Sequence, residues 1–173
     1  RQRAVAYPPF LVDAIGLLPY SAAGLLLVAG ASKIRRPESM APVLKEMGLP
    51  GERGALGIGG VEIVLGAVGL VVGGGFVWAL VATLYLAFAV LLAHLWRSGA
   101  TVECGCFGRQ STPVGPQQVA ADVGTALLAG VGVWRDTPGL FDSGLGVGRS
   151  VAYVAAIAVG VWTLRVAHTG AIR

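Results

Sequence analysis

Charged side chains are scarce in this chain. Aspartate, glutamate, lysine and arginine together make up 13% of its 173 residues, whereas a soluble globular domain carries about 25%. The chain therefore lacks the polar surface that a protein needs when water surrounds it, which excludes a soluble globular domain. Hydrophobic residues make up 55% of the sequence and the mean hydropathy is +0.74. We predict an integral membrane protein.

Histidine and cysteine are equally sparse, with two residues of each. The sequence also contains no glycine-rich phosphate loop, no pair of haem ligands on facing helices and no hydrolase constellation. The net charge of +4 does not indicate a nucleic-acid partner, because the basic residues lie in short segments beside apolar runs. That distribution is typical of membrane topology and of contact with anionic lipid.

Apolar runs near membrane-spanning length divide the sequence, since about 20 helical residues cross the hydrocarbon core. We predict an all-α fold, a polytopic transmembrane helix bundle. Its four-helix core occupies residues 1–135, and residues 136–173 form a linker and a fifth transmembrane helix. The expected spans are 10–31, 55–72, 76–96, 117–134 and 146–164. The first run is too long for a signal peptide and has no suitably placed cleavage site.

Two connecting segments carry further information. In residues 37–48, Met40, Val43, Leu44 and Met47 recur at helical spacing and form one apolar stripe. We predict a short helix there that lies on the membrane surface. Residues 97–116 form a long polar loop between the third and fourth spans, whereas three consecutive glycines make a bare turn between the second and third.

The long polar loop contains both cysteines, in the order Cys104-Gly105-Cys106. As a redox pair, the two thiols are close enough to form a strained and therefore labile disulfide. As a metal site, two thiolates need further ligands, and His94 is the only histidine nearby. As a structural crosslink, a bond across one residue closes almost no loop and adds little stability. We favour the redox interpretation.

Four ionisable residues converge on the end of the bundle that carries this loop. In an up-down arrangement, Lys33, Glu62, His94 and Asp122 all fall at one membrane face, with Glu62 about two turns inside its helix. Charges within a membrane tend to face the bundle interior and to have partners. We predict catalytic roles for Lys33, which would favour the thiolate, and for Glu62 and His94, which would carry protons. A Lys33–Glu62 ion pair without any chemistry is the alternative.

The sequence resembles the methylamine-utilisation MauE family, which is related to the DoxX-like membrane proteins. Three stretches carry the resemblance, which covers roughly residues 11–134: Gly99 to Gly108 around the cysteines, Gly30-Ala31-Ser32-Lys33, and Val61-Glu62-Ile63-Val64-Leu65-Gly66. The resemblance implies a four-helix membrane bundle associated with thiol redox and with maturation of a disulfide-rich periplasmic enzyme subunit, alongside a thioredoxin-like partner. It makes Cys104 and Cys106 the redox pair. One departure is Ala121 before Asp122, where the family often has arginine.

Sidedness follows from counting lysine and arginine on each side of the membrane. Five spans place nine of these residues on the side of the cysteine loop and four on the other. The count therefore predicts a cytoplasmic loop in a multi-pass membrane protein, and the resemblance implies that the membrane is the bacterial inner membrane. A role in periplasmic maturation conflicts with that orientation, unless electrons pass across the membrane.

Two functions follow from these observations. The first is a thiol–disulfide oxidoreductase that relays reducing equivalents from the Cys-x-Cys pair to a thioredoxin-like partner or a quinone, in protein maturation or redox homeostasis. The second is a non-enzymatic accessory or assembly subunit of a larger membrane complex, with structural or metal-binding cysteines. The quinone would be the cofactor of the first function.

Overall fold

The chain is described by a computed structural model over residues 16–99, 114–140 and 158–163. This part is helical and contains no strand, which confirms the predicted fold class. Residues 158–163 are helical as well, and a 3₁₀ turn covers Pro37–Ser39. The α-helices are α1 (Leu18–Arg35), α2 (Ala41–Glu46), α3 (Gly51–Val71), α4 (Gly75–Arg97) and α5 (Pro116–Arg135).

Two of the described helices are long and apolar enough to cross a membrane. They are α3, with 21 residues and a mean hydropathy of 1.9, and α4, with 23 residues and 2.4. An α-helix bonds its own backbone groups, so it can lie in hydrocarbon without leaving them unsatisfied. The other two long helices each contain a buried charged residue, Lys33 in the last turn of α1 and Asp122 in α5.

The four long helices pack as two closely associated pairs. Helix α1 packs most extensively on α3, and α4 on α5, while further contacts between α1 and α5 join the pairs. Every residue from Pro19 to Leu26 is buried, so this half of α1 is the centre of the bundle. Its side chains form one apolar cluster with Trp78, Val81 and Ala126 of the other pair.

Helix α2 is amphipathic, as its pattern predicts. Met40, Val43 and Leu44 are buried, while Met47 is 38% exposed and lies beyond the helix end. The placement of this helix on the membrane surface stays a prediction. The stripe packs on the bundle itself, against the first turns of α3 and the last turns of α4. Other parts of the protein therefore cover this apolar face.

The turn between α3 and α4 is not bare, contrary to our expectation. Residues 136–140 pack against it and supply hydrogen-bond partners for the helix ends. The Gly74 N–H donates to the Thr137 carbonyl at 2.7 Å, and the Leu140 N–H donates to the Leu70 carbonyl at 2.8 Å. These contacts satisfy groups that a helix terminus leaves open. The domain boundary at residue 135 stays a prediction.

Two aromatic side chains fix the same end from within. The Trp78 Nε1–H donates to the Thr137 carbonyl at 2.7 Å, and the Tyr20 hydroxyl donates to the Pro138 carbonyl at 2.6 Å. The two rings meet edge to face, with centroids 5.7 Å apart. A Cβ at Gly132 would lie 2.6 Å from Trp78 Cγ, so this position of α5 accommodates the indole only as glycine.

Candidate functional site

A buried ion pair joins α1 to α3. The Lys33 Nζ donates to both carboxylate oxygens of Glu62, at 2.7 Å to Oε1 and 2.8 Å to Oε2. Lys33 is 2% exposed and Glu62 1%. Taking such charges out of water is costly, and it is tolerated when the partners form good hydrogen bonds with each other. The geometry meets that requirement.

Two glycines allow the helices to approach closely enough for this pair. Gly30 lies one turn before Lys33, and Gly59 one turn before Glu62. A Cβ at Gly30 would lie 2.6 Å from the Gly59 carbonyl oxygen, and one at Gly59 would lie 3.0 Å from the Gly30 oxygen. The backbones touch here, as is common where small residues line a membrane helix interface. The ion pair therefore depends on a contact that larger residues would prevent.

Helix α4 contributes aromatic groups to the surroundings of the pair. The Lys33 Nζ lies 5.6 Å from the centroid of the Phe88 ring, within the range of a cation–π interaction. Tyr85, one turn earlier on α4, is buried and donates its hydroxyl to the Ala22 carbonyl at 2.9 Å. Sequence reasoning missed both residues. Their spacing from Trp78 and Leu92 on one helical face was the available signal.

Asp122 lies on α5 and is 5% exposed. It interacts electrostatically with both Glu62 and Tyr85. The structure thus brings together three of the four predicted ionisable residues, one from each of α1, α3 and α5. Glu62 lies deeper than predicted, because α3 begins at Gly51 and the carboxylate is about 16 Å, or three turns, from that end.

His94 does not join this group, although it lies near the predicted end of its helix. It is exposed on α4, nine residues after Tyr85. At about 100° per residue, nine residues place the two side chains on opposite faces of the helix. The prediction used only the position of His94 near the helix end, and that position does not determine the face.

Cys104 and Cys106 lie outside the described residues. Their segment joins the end of α4 to the start of α5, since α4 ends at Arg97 and α5 begins at Pro116. Among the residues that the structure describes, no group of three or more histidine, cysteine, aspartate or glutamate side chains could hold a metal ion. The redox and metal interpretations of the cysteines remain predictions.

Two long apolar helices, α3 and α4, and a buried ion pair between α1 and α3 indicate a helical membrane protein. The chain belongs to the family of methylamine utilisation protein MauE, whose sequence pattern matches residues 11–135. This match confirms the resemblance and nearly the same bounds that three short stretches indicated. The further relation to DoxX-like proteins stays a prediction. Comparison with curated proteins and with solved structures found no significant match.

Proposed function

We propose that this protein is an integral membrane thiol–disulfide redox protein. The observation that carries the proposal is the sequence Cys104-Gly105-Cys106, which contains both cysteines of the chain. Two thiols separated by one glycine can form a bond whose strain makes it easy to reduce. Membership of the family places this pair in a membrane protein that the family description associates with methylamine utilisation.

The proposed step is thiol–disulfide exchange. One cysteine thiolate attacks a disulfide of a thioredoxin-like partner, and a mixed disulfide forms as one partner sulfur leaves as a thiolate. The second cysteine then attacks the mixed disulfide, which closes the Cys104–Cys106 bond and releases the partner as a dithiol. Two electrons and two protons pass from the pair to the partner. A quinone acceptor would take up the same two electrons and two protons and leave as the quinol.

The buried charges support this function as positioning groups. Both carboxylate oxygens of Glu62 accept hydrogen bonds from the Lys33 ammonium, so the two charged groups bind each other. We propose that it holds α1 against α3 and thereby fixes the four-helix frame from which the cysteine segment extends. His94 is exposed near the end of α4 and ten residues before Cys104. It remains a proposed proton carrier for thiols at that end.

The test is to trap the thiols in isolated membranes with a maleimide that carries a mass tag, before and after treatment with dithiothreitol. We expect no tags on the oxidised protein and two on the reduced protein. Cys104→Ser and Cys106→Ser each leave one thiol and serve as mobility standards. Thioredoxin in its disulfide form and a soluble quinone analogue are then offered to the reduced protein as oxidants. Two tags that persist with both oxidants, or a disulfide that dithiothreitol never opens, would refute the proposal.

Sidedness is proposed separately, with the cysteine segment on the cytoplasmic face of a bacterial inner membrane. A membrane-impermeant maleimide, added to intact spheroplasts and to inverted vesicles, tests this orientation. Labelling only in inverted vesicles is expected. Labelling only in spheroplasts would contradict the charge count and would place the thiols in the periplasm.

A second candidate is a non-enzymatic assembly subunit of a larger membrane complex. The observation that favours it is the completeness of the Lys33–Glu62 pair, which a purely structural protein would also need. Under this function, the Cys104→Ser/Cys106→Ser variant would copurify with its complex in an unchanged ratio. Retained assembly of this variant, together with tags on the unsubstituted protein that never respond to oxidant or reductant, would therefore support the second candidate over the first.

A further inference from the structure

The short helix α2 packs against α3 about one turn away from the buried ion pair. Met40 and Leu44 form an apolar cluster with Ala55, and Ile58 of α3 packs against the same cluster. Ile58 lies four residues, or about one helical turn, before Glu62. Because α3 begins at the end of the bundle where α4 leads into the cysteine segment, this contact lies between that end and the ion pair.

Helix α4 shows the same order of contacts. Val43 of α2 packs in one apolar cluster with Leu92 and Leu95 of α4. Leu92 lies four residues after Phe88, whose ring is beside the Lys33 ammonium. Since α4 runs towards the cysteine segment, the contact with α2 is again about one turn nearer that segment than the charge is.

The start of α5 completes this arrangement. Val114, which lies just before α5, is buried in the cluster around Val43, and Val119 of α5 packs against that cluster. Val119 lies three residues before Asp122. On α3, α4 and α5, the residues that contact α2 or its clusters therefore lie about one turn nearer the cysteine segment than the buried charged group, by which we mean Lys33, Glu62 and Asp122.

Apolar contacts alone hold α2 in this position. Within the part of the chain that the structure describes, no hydrogen bond or ion pair joins residues 40–47 to any of the four long helices. The helix has only six residues, which is too short for a helix to be stable by itself in water. Its outward side chains Pro42, Lys45 and Glu46 are exposed. Elements held by few buried contacts open locally before the whole protein unfolds.

We propose that α2 is a lid over the buried charged group, and that it opens as a unit to admit water from the end of the bundle that carries the cysteine segment. In the closed position that the structure shows, Lys33, Glu62 and Asp122 are at most 5% exposed. On their other side lies the apolar cluster of α1, α4 and α5, which residues 136–140 close off through hydrogen bonds to the helix ends. The proposal does not depend on any reaction of the cysteines.

The test measures how fast a small, positively charged methanethiosulfonate reagent labels single cysteines in the full chain, reconstituted in lipid nanodiscs. Cys104→Ser/Cys106→Ser provides the background without native thiols. Ala89→Cys places a thiol at the level of the buried charged group, because Ala89 is buried and lies beside Phe88 on α4. Ala129→Cys is the deep control, because Ala129 is fully buried in the apolar cluster on the far side of that group.

Leu44→Ala weakens the lid, because Leu44 is fully buried where α2 meets α3. We expect it to speed the labelling of Ala89→Cys at least about tenfold. The labelling rate of Ala129→Cys should stay within about twofold, because the apolar cluster remains closed. Lys45→Met is the matched control, since Lys45 is exposed on the same helix, and it should change both rates by no more than about twofold.

Equal acceleration at Ala89→Cys and Ala129→Cys would show that the whole bundle unfolds, and an unchanged rate at Ala89→Cys would show that α2 does not control access. Either result would overturn the proposal. Far-UV circular dichroism shows whether each variant has folded. If Leu44→Ala does not fold, Val43→Ala replaces it, because it removes fewer buried atoms, and an acceleration of about threefold or more at Ala89→Cys alone is then expected.

Discussion

Removal of the Lys33 ammonium is the most informative single perturbation of this protein. Lys33→Met keeps much of the side-chain volume but leaves the Glu62 carboxylate buried without its cation. The pair is almost fully buried and its N–O distances are 2.7 and 2.8 Å. Breaking such a pair from one side costs about 3–5 kcal/mol. We expect the free energy of unfolding to fall by that amount in Lys33→Met.

The double variant Lys33→Met/Glu62→Met should behave differently. It removes both charges and fills the space with apolar side chains, which for a buried pair is often neutral or stabilising by about 1–4 kcal/mol. The double variant should therefore regain most of the stability that Lys33→Met loses. Because the two side chains are in contact, the double-mutant cycle should show a coupling of about 3 kcal/mol or more.

The assay is unfolding of the detergent-solubilised protein by increasing sodium dodecyl sulfate, followed by circular dichroism and tryptophan fluorescence. Lys45→Met is the matched control, because Lys45 is an exposed lysine on α2. Its effect should stay within about 0.5 kcal/mol. The pair would not stabilise the fold in the way its geometry implies if the stability losses of Lys33→Met and Glu62→Met simply added in the double variant. The same would follow if Lys33→Met lost no more stability than Lys45→Met.

Two further predictions concern packing. Gly30→Ala should destabilise the bundle by about 1–3 kcal/mol through overpacking against α3. Its control is Gly57→Ala, where a Cβ meets open space, and this substitution should be neutral or stabilising by up to about 1 kcal/mol. If both substitutions changed the free energy of unfolding in detergent equally, the close contact at Gly30 would be contradicted. Trp78→Ala should lower the free energy of unfolding by about 3–5 kcal/mol. Trp134 is 83% exposed, so Trp134→Ala should change it by no more than about 0.5 kcal/mol in detergent micelles. Similar losses for both variants in the same unfolding assay would contradict this prediction.

The sequence predicted the fold class and offered the ion pair as the alternative to catalytic roles, because both follow from local rules. Apolar runs of spanning length have few stable forms other than helices in a membrane. Lys33 and Glu62 are rare charged residues in such runs, and charged residues within a membrane tend to pair with one another. Neither inference required knowledge of the helix faces, which explains why both predictions agree with the structure.

The differences share one cause, since each depends on how distant segments of the chain pack against one another. His94 is at the expected height on α4 but on the opposite face from Tyr85. The glycine turn between α3 and α4 seemed bare because its partner, Thr137, lies more than sixty residues further along the chain. Contacts between distant segments are set by tertiary packing, and one sequence carries no direct signal for them.

The depth and the bonding of the Lys33–Glu62 pair bear on how it could influence the thiols. The Phe88 ring beside the Lys33 ammonium is eight residues before Trp96, which is about 12 Å along α4 from the end that leads to the cysteine segment. The ammonium is also bound to both Glu62 oxygens. We therefore expect Lys33→Met/Glu62→Met to retain reversible tagging of Cys104 and Cys106 at an unchanged reoxidation rate. A double variant that folds normally but reoxidises at least about tenfold more slowly, a barrier increase of about 1.4 kcal/mol, would show that the charges themselves take part in the thiol chemistry.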